Sequence, residues 1–356
     1  MTDREQRLAS LGWNASFEAY AKVRCQPGET AARVAAVDRE QFLLLDENGA
    51  FPGKLSGGYR YAHQLAEEYP CVGDWVSVEK HPDFGVVQSL FERKTSLRRK
   101  AVGRALDYQM IGANIDAVMV VQSCHFDFNL KRLERYLVMV ADGGAEPNIL
   151  LTKTDLVSAE ELASQLTQIR DAGIKAPVLT LSNVTREGVD VLKRQLLPGR
   201  TYCFVGSSGV GKSTLINELV GRGVVETGDV SGTGEGRHTT VRRELLVLPS
   251  GALVIDNPGM REFGVMGDES ALSSGFGDIG EFASRCRFGD CTHTNEPGCA
   301  VLEALENGEI DREHYDHFLK LRKETAFHQM SYVERRKKDR AFGKFAKSVL
   351  KHKERE

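Results

Sequence analysis

The sequence predicts a multidomain chain in which a small all-β barrel comes first, an α/β domain with a mainly parallel sheet follows, and a mainly helical, metal-binding segment ends it. Three observations carry this. Residues 33–100 hold short strand-like runs parted by turn signals, with no long amphipathic helix among them. From Ile115 onward, strand-length apolar runs alternate with helix-length ones, the pattern of a parallel sheet covered on both faces. Cys286, Cys291, His293 and Cys299 crowd four metal-ligating side chains into one turn-rich stretch. At 356 residues the chain exceeds the roughly 250 at which single cores stop growing. The expected division is an extension over 1–32, the barrel over 33–100, the α/β domain over 101–265 and the metal-binding domain over 266–356.

Charge and composition narrow the function. A formal net charge of −3 excludes a uniformly basic surface, so any nucleic-acid contact is expected to be local. No leader-like apolar core precedes Asn14, and no apolar run approaches the ~18 residues of a membrane span, which predicts a cytoplasmic protein. Three of the seven cysteines sit in the Cys286–Cys299 cluster, which in a reducing compartment speaks for metal rather than disulfides.

In the barrel, strands are expected at Arg33–Val37, Gln41–Leu45, Asp74–Glu79 and Gly85–Leu90, with a tight hairpin at Asp46-Glu47-Asn48-Gly49. Roughly five strands would close it. Arg93, Lys94, Arg98, Arg99, Lys100 and Arg104 form a basic stretch at the exit, either a solvated face or a contact for nucleic acid.

The α/β domain is expected to run as strand Ile115–Val121, helix Leu130–Ala141, strand Asn148–Leu151, helix Ser158–Asp171, strand Val178–Leu181 and helix Val189–Leu196. Then comes Gly206-Ser207-Ser208-Gly209-Val210-Gly211-Lys212-Ser213, which fits G-x-x-x-x-G-K-[ST] between an apolar strand (Thr201–Val205) and a helix start at Thr214. Glycines let backbone N–H groups wrap a polyphosphate at the positive end of a helix. Lys212 is placed to reach the β- and γ-phosphates, the Ser213 hydroxyl to hold Mg²⁺, and Thr214 to donate to the α-phosphate. Two more strands follow near Arg243–Leu248 and Ala252–Asp256. Asp256 ends the second, where its carboxylate can hold an Mg²⁺ water, and Gly259 can offer its N–H to the γ-phosphate. Met260 stands where many GTPases keep a water-orienting glutamine. Gly228–Thr240 reads as a loop, in which Thr239 or Thr240 can close on Mg²⁺ and His238 can orient the attacking water in place of that glutamine.

Base recognition falls to Thr152-Lys153-Thr154-Asp155, after a strand. A carboxylate at Asp155 accepts from both N1–H and the 2-amino group of guanine, a donor pair adenine lacks, while the Lys153 stem lies against the base. Ser182 and Asn183, after the next strand, are placed to support the guanine oxygen. In most GTPases the phosphate loop precedes the base motif; here it follows, so the domain reads as circularly permuted. A small-molecule kinase using ATP and an RNA chaperone with a vestigial nucleotide site are the rival readings.

The combination resembles the ribosome small-subunit-dependent GTPases of the RsgA (YjeQ) family, within the circularly permuted GTPases. The resemblance rests on Val72-Gly73-Asp74-Trp75-Val76, the stretch Asp127–Tyr136, the phosphate loop, Gly236-Arg237-His238-Thr239-Thr240 and the cysteine cluster, and it spans nearly the whole chain. It implies an N-terminal OB-fold, a central permuted P-loop GTPase domain binding GTP or GDP, and a C-terminal zinc domain. It further implies work on the small (30S) ribosomal subunit and its rRNA, a link between His238 and hydrolysis, and a monomer. Two positions depart from the family pattern: Thr152 replaces asparagine, and Asn257 replaces threonine after Asp256. Losing the asparagine amide is expected to unbrace the site and weaken the hold on guanine.

Cys286-x4-Cys291-x-His293-x5-Cys299 suits one tetrahedral zinc, and four protein ligands leave no open position, so the ion is expected to be structural, holding a segment too short for its own core. Cys25, Cys71, Cys124 and Cys203 read as small buried hydrophobes. Between Arg335 and Arg355 basic residues dominate, with Phe342, Phe345 and Val349 at helical spacing, which suggests a helix that docks on RNA.

Overall fold

The structure, a computed structural model, describes residues 2–38, 41–63, 65–100, 108–221, 243–256 and 269–329. The basic residue Arg104, the loop with His238, Thr239 and Thr240, the turn with Gly259 and Met260, and the basic stretch from Arg335 lie outside those residues.

Two helices open the chain, α1 (Asp3–Ser10) and α2 (Ala15–Arg24). Thr2 caps the first with a reciprocal Glu5 contact, and Asn14 accepts from Ser16 N–H to start the second. Their apolar residues Leu8, Leu11 and Phe17 pack against Trp75 and Phe91 on the barrel. The barrel strands are β1 (Glu29–Asp38), β2 (Gln41–Asp46), β3 (Gly49–Leu55), β4 (Trp75–Lys80) and β5 (Gly85–Leu90), with helix α3 (Gly57–Ala62) between β3 and β4. Pairing runs β1–β2–β3–β5–β4 and returns from β4 to β1, so the barrel is closed and leaves no free edge within that circuit. Sequence reasoning marked the hairpin but not β3, whose Gly49, Pro52 and Gly53 argue against a strand. Pro52 is tolerated because β3 pairs with β5 only from Gly53 onward.

The basic stretch turns partly inward, which corrects its reading as an exposed exit. Asp74 is fully buried, and Arg93 grips it with Nε to Oδ1 at 2.8 Å and Nη2 to Oδ2 at 2.7 Å. Arg98 and Arg99 lie on β6 (Ser96–Lys100), which pairs with β7 (Tyr108–Ala113); Arg98 faces Asp142, and Arg99 donates to Gln109.

The second sheet is formed by β8 (Ala117–Ser123), β9 (Glu146–Thr152), β10 (Val178–Thr180), β11 (Thr201–Val205), β12 (Glu244–Val247) and β13 (Leu253–Asp256), with α4 (Leu130–Asp142), α5 (Ala159–Asp171), α6 (Val189–Gln195) and α7 (Lys212–Val220) between them. The order is β10-β9-β8-β11-β13-β12, parallel except for β12. Leu133, Tyr136 and Leu137 of α4 cover one face, and Leu192 of α6 with Leu215 and Ile216 of α7 cover the other. β12 touches β1 at Glu244 and Ala36, which makes the barrel continuous with this sheet.

A buried cation reinforces that join. Arg33 on β1 is 1 % exposed and donates to the carbonyls of Leu11, Gly73 and Asn114 and to Thr201 Oγ1 at 2.8 Å. Burial lowers its pKa to about 10, opposed by Asp116 and Asp74, so it stays charged near neutrality.

The last part holds α8 (Glu269–Gly275), α9 (Gly277–Ala283), α10 (Ala300–Glu306) and α11 (Arg312–Gln329). Leu272, Phe276, Ile279, Val301, Tyr315, Phe318 and Leu321 form one cluster with Val138 of α4. Cys291 and Cys299 join this cluster, so the cysteine-bearing stretch shares a core with the flanking helices and a face of α4. Glu134 of α4, 1 % exposed, meets His314 Nδ1 at 3.0 Å and His317 Nδ1 at 2.7 Å, and His314 Nε2 meets Asp278 at 3.0 Å. No helix among the described residues is long and apolar enough to cross a membrane.

Candidate functional site

Parallel strands bring their C-terminal ends to one rim, and the connecting loops there hold the chemistry. β11 feeds the loop Gly206–Gly211, and α7 starts at Lys212. Gly206 has φ +151, and a Cβ on it would lie 2.2 Å from the Val121 carbonyl oxygen, so only glycine fits where the loop leaves the sheet. Lys212 Nζ donates to the carbonyls of Gly206 at 2.8 Å and Ser207 at 2.5 Å. Burial lowers its pKa to about 8, while Asp256 and Asp127 pull the other way. An ammonium this poorly solvated gains from any anion in the loop. Ser213 is half-buried and Thr214 exposed in the first turn of α7, and Ser208 and Gly209 are exposed at the loop's outer side. Asp256 ends β13 at 7 % exposure.

The base motif sits beside the loop. Thr152 ends β9 fully buried, and its hydroxyl donates to the Val210 carbonyl at 2.7 Å, with the Gln122 carbonyl further off at 3.2 Å. This corrects the expectation that losing asparagine unbraces the site: a hydroxyl is long enough to reach the loop from the end of β9. Lys153 takes a left-handed backbone conformation at φ 59, which turns the chain away from the sheet. Thr154 and Asp155 follow in a single 3₁₀ turn, with Asp155 exposed. Ser182, fully buried, donates to Asp155 Oδ1 and accepts from the N–H groups of Val184 and Thr185 at 3.1 Å each, which fixes the carboxylate's direction. Asn183 does not aim its amide outward toward a base. Its Nδ2 donates to the Gly211 carbonyl at 3.1 Å.

The structure thus brings Thr152, Asp155, Ser182, Asn183 and Lys212 to one rim, while His238, Thr239, Thr240 and Gly259 lie outside the described residues. Sequence reasoning assigned no task to the loop between β8 and α4. There Gln122 and Asn129 exchange two hydrogen bonds, Nε2 to the Asn129 carbonyl at 3.1 Å and Asn129 N to Oε1 at 3.2 Å, and Asn129 caps α4. Asp127, paired with Arg132 at 2.9 Å, is one of the two carboxylates that favour the charged form of Lys212. The Asn before the amphipathic run of α4 was the available signal, as an N-cap.

The cysteine cluster converges as its spacing predicts. The ligand atoms of Cys286, Cys291, His293 and Cys299 all lie within 4.8 Å of one another. Cys286 and Cys299 sulfurs are 3.9 Å apart, and His293 Nδ1 is 3.5 Å from each. Zn–S and Zn–N bonds of about 2.3 and 2.0 Å at tetrahedral angles give edges of about 3.8 and 3.5 Å, so the donor set fits zinc. Tyr315 donates to the His293 carbonyl at 2.6 Å and Arg322 to that of Cys291 at 3.2 Å, which fixes the ligand loop on α11. For the Cys286 thiol, burial raises the pKa, but N–H groups of Val301 and Ala300 at the start of α10 outweigh it and favour thiolate. Of the other cysteines, Cys71, Cys124 and Cys203 are buried as expected, but Cys25 is only half-buried.

Comparison with known proteins fits this arrangement. A family profile described as RsgA GTPase matches residues 90–266. The small ribosomal subunit biogenesis GTPase RsgA 2 of Listeria monocytogenes is 42% identical, covering 83% of this chain and 84% of its own. RsgA 1 of Bacteroides thetaiotaomicron is 34% identical over 99% of each chain. Among solved structures, YjeQ from Thermotoga maritima superimposes with a TM-score of 0.62 at 26% identity, covering 82% of this chain and 97% of that one. YloQ, a circularly permuted GTPase, shares the fold with a TM-score of 0.60 at 24% identity, over 87% of this chain and 99% of that one.

Proposed function

The chain belongs to the RsgA GTPase family, and on that premise we propose that it hydrolyses GTP to GDP and phosphate as a late assembly factor of the small ribosomal subunit. The observation that carries this reading is the shared rim: the carboxylate of Asp155, held by Ser182, stands beside a phosphate loop that Thr152 and Asn183 hydrogen-bond. A guanine on Asp155 leaves its polyphosphate to the loop. Mg²⁺, when bound, neutralises phosphate charge; Ser213 and a water on Asp256 would hold it. Lys212 would move from the loop carbonyls to the β- and γ-phosphates. His238 would orient the attacking water where Met260 cannot, with Thr239 or Thr240 closing over the γ-phosphate beside Gly259. Hydrolysis by the isolated protein should therefore be slow, and a partner that holds His238 against the attacking water should accelerate it by about 10³- to 10⁵-fold.

The partner in this reading is the 30S subunit, bound through its rRNA by the closed barrel, the zinc-binding part and the basic residues after Arg335. The protein would act there as a monomer in the cytoplasm, where subunits are assembled. Turnover of GTP and ATP, each with and without isolated small subunits, tests it. GTP-selective turnover stimulated by the subunit is expected; ATP turnover at an equal rate, or no stimulation, would sink the reading.

A further inference from the structure

The loop that carries His293 is folded around one carboxylate. Glu296 Oε1 accepts from the N–H of Thr292 at 2.8 Å and from the Thr292 hydroxyl, while Oε2 accepts from the N–H groups of Thr294 at 3.0 Å and Asn295 at 3.1 Å. The remaining N–H of that run, on His293, turns to the Cys291 sulfur. Neighbouring N–H groups converge on one acceptor where the backbone alternates between right- and left-handed conformations, which makes an anion-binding concavity. His293 supplies the left-handed residue, at φ 58, a conformation uncommon for any residue with a β-carbon. Here a side chain of the same loop fills the concavity.

That conformation matters because His293, 7 % exposed, places its Nδ1 3.5 Å from the sulfurs of Cys286 and Cys299. From the other side, Tyr315 and Arg322 of α11 hold the carbonyls of His293 and Cys291. A C=O and the N–H that follows it belong to one planar peptide. The peptides that join Cys291 to Thr292 and His293 to Thr294 are therefore each held at both ends, the oxygen by α11 and the N–H by Glu296. We propose that Glu296 is a positioning residue of the zinc site: its carboxylate fills the backbone concavity of residues 292–295 and so holds His293 in the left-handed conformation that aims Nδ1 at the sulfurs. The proposal rests on the zinc reading of the cluster and not on the nucleotide site.

Competition for zinc with a chromophoric chelator and the absorption spectrum of the cobalt(II)-substituted full-length protein test it. Glu296→Ala should weaken zinc binding by about 10- to 100-fold, the range for losing a partner that orients a metal ligand. It should also shift the cobalt d–d bands toward those of His293→Ala, in which the thiolates of Cys286, Cys291 and Cys299 are left with water. Glu296→Gln, equal in size but with an amide NH₂ where one oxygen accepted, should fall between Glu296→Ala and wild type on both readouts. Tyr315→Phe, which leaves the carboxylate and its donors in place, should shift the spectrum less than Glu296→Ala. Unchanged zinc affinity in Glu296→Ala would overturn the proposal and leave α11 alone holding the loop, as would a Tyr315→Phe spectrum shifted equally far. Weakened zinc binding with a wild-type cobalt spectrum would overturn it too, because the carboxylate would then stabilise the segment without orienting His293. If Glu296→Ala does not fold, the same two readouts on Glu296→Gln decide. Failure of wild-type protein to bind either metal would instead refute the zinc reading on which the proposal stands.

Discussion

Cys286, Cys291, His293 and Cys299 meet within one short turn-rich stretch, whereas the residues around the phosphate loop come from the ends of strands far apart in the chain. The first arrangement depends on four local donors and on what binds them. The second depends on the register of a whole sheet, and small buried contacts such as Thr152 with Val210 set its geometry. A local site should therefore fail by losing its metal, and a distributed one by losing alignment. Between them lies α4, whose N-cap Asn129 is tied to Gln122 beside the base motif, and whose Glu134 is held by the histidines of α11.

The largest expected effect is loss of the metal. Structural zinc contributes on the order of 10 kcal/mol to small domains, so Cys291→Ser should abolish zinc binding and open residues 286–299 to proteolysis. GDP affinity should change by less than about twofold if the two regions are independent; a parallel loss would break the contrast between local and distributed sites. Next, Lys212→Ala should cut GTP turnover by at least about 100-fold, the scale for removing a preorganised donor at the reacting group, with zinc content and thermal midpoint unchanged.

Removing one partner of a buried ionic cluster costs about 3–5 kcal/mol, so Glu134→Ala should lower the thermal midpoint sharply, more than Glu134→Gln. If the first region to lose protection from hydrogen exchange is α11 rather than the sheet, the junction is where the two halves part. The same cluster sets a pH dependence. Burial alone would lower the pKa of His314, but hydrogen bonds to Asp278 and Glu134 outweigh it and raise it to about 9. A folded-state value above the unfolded value of about 6.5 means the stabilisation is complete below that pH and is lost as pH rises through about 9. Stability against denaturant should fall over this window by on the order of 2 kcal/mol, and His314→Phe should flatten the curve; an unchanged curve would remove the ionic account of the junction. Smallest is Thr201→Val, which takes one hydrogen bond from the charged Arg33 and should cost about 1.5 kcal/mol, read as a small shift in the denaturation midpoint.

Much of this chain is legible one segment at a time. The phosphate loop, the strand ends at Thr152 and Asp256, the alternation of the second sheet and the spacing of the metal ligands all follow from local pattern, because turns, strand alternation and ligand spacing are short-range constraints. Strand β3 was missed because Pro52 and its glycines argue against a strand until β2 and β5 are known to flank it differently. Arg93 looked like an exposed charge, and only the turn that buries Asp74 next to it shows otherwise.

By itself, then, the sequence determined which chemistries are present and the order in which the chain delivers them: a phosphate loop after a base motif, a carboxylate after a strand, four zinc-type donors. The tertiary structure alone decided how they support one another. Whether Thr152 braces the loop, whether Asn183 faces a base or a backbone carbonyl, and whether Glu134 finds two histidines depend on contacts between residues 28 to 183 positions apart. Such contacts carry no local signature, because a hydroxyl or an amide is equally at home in water and acquires its role only when packing takes the water away.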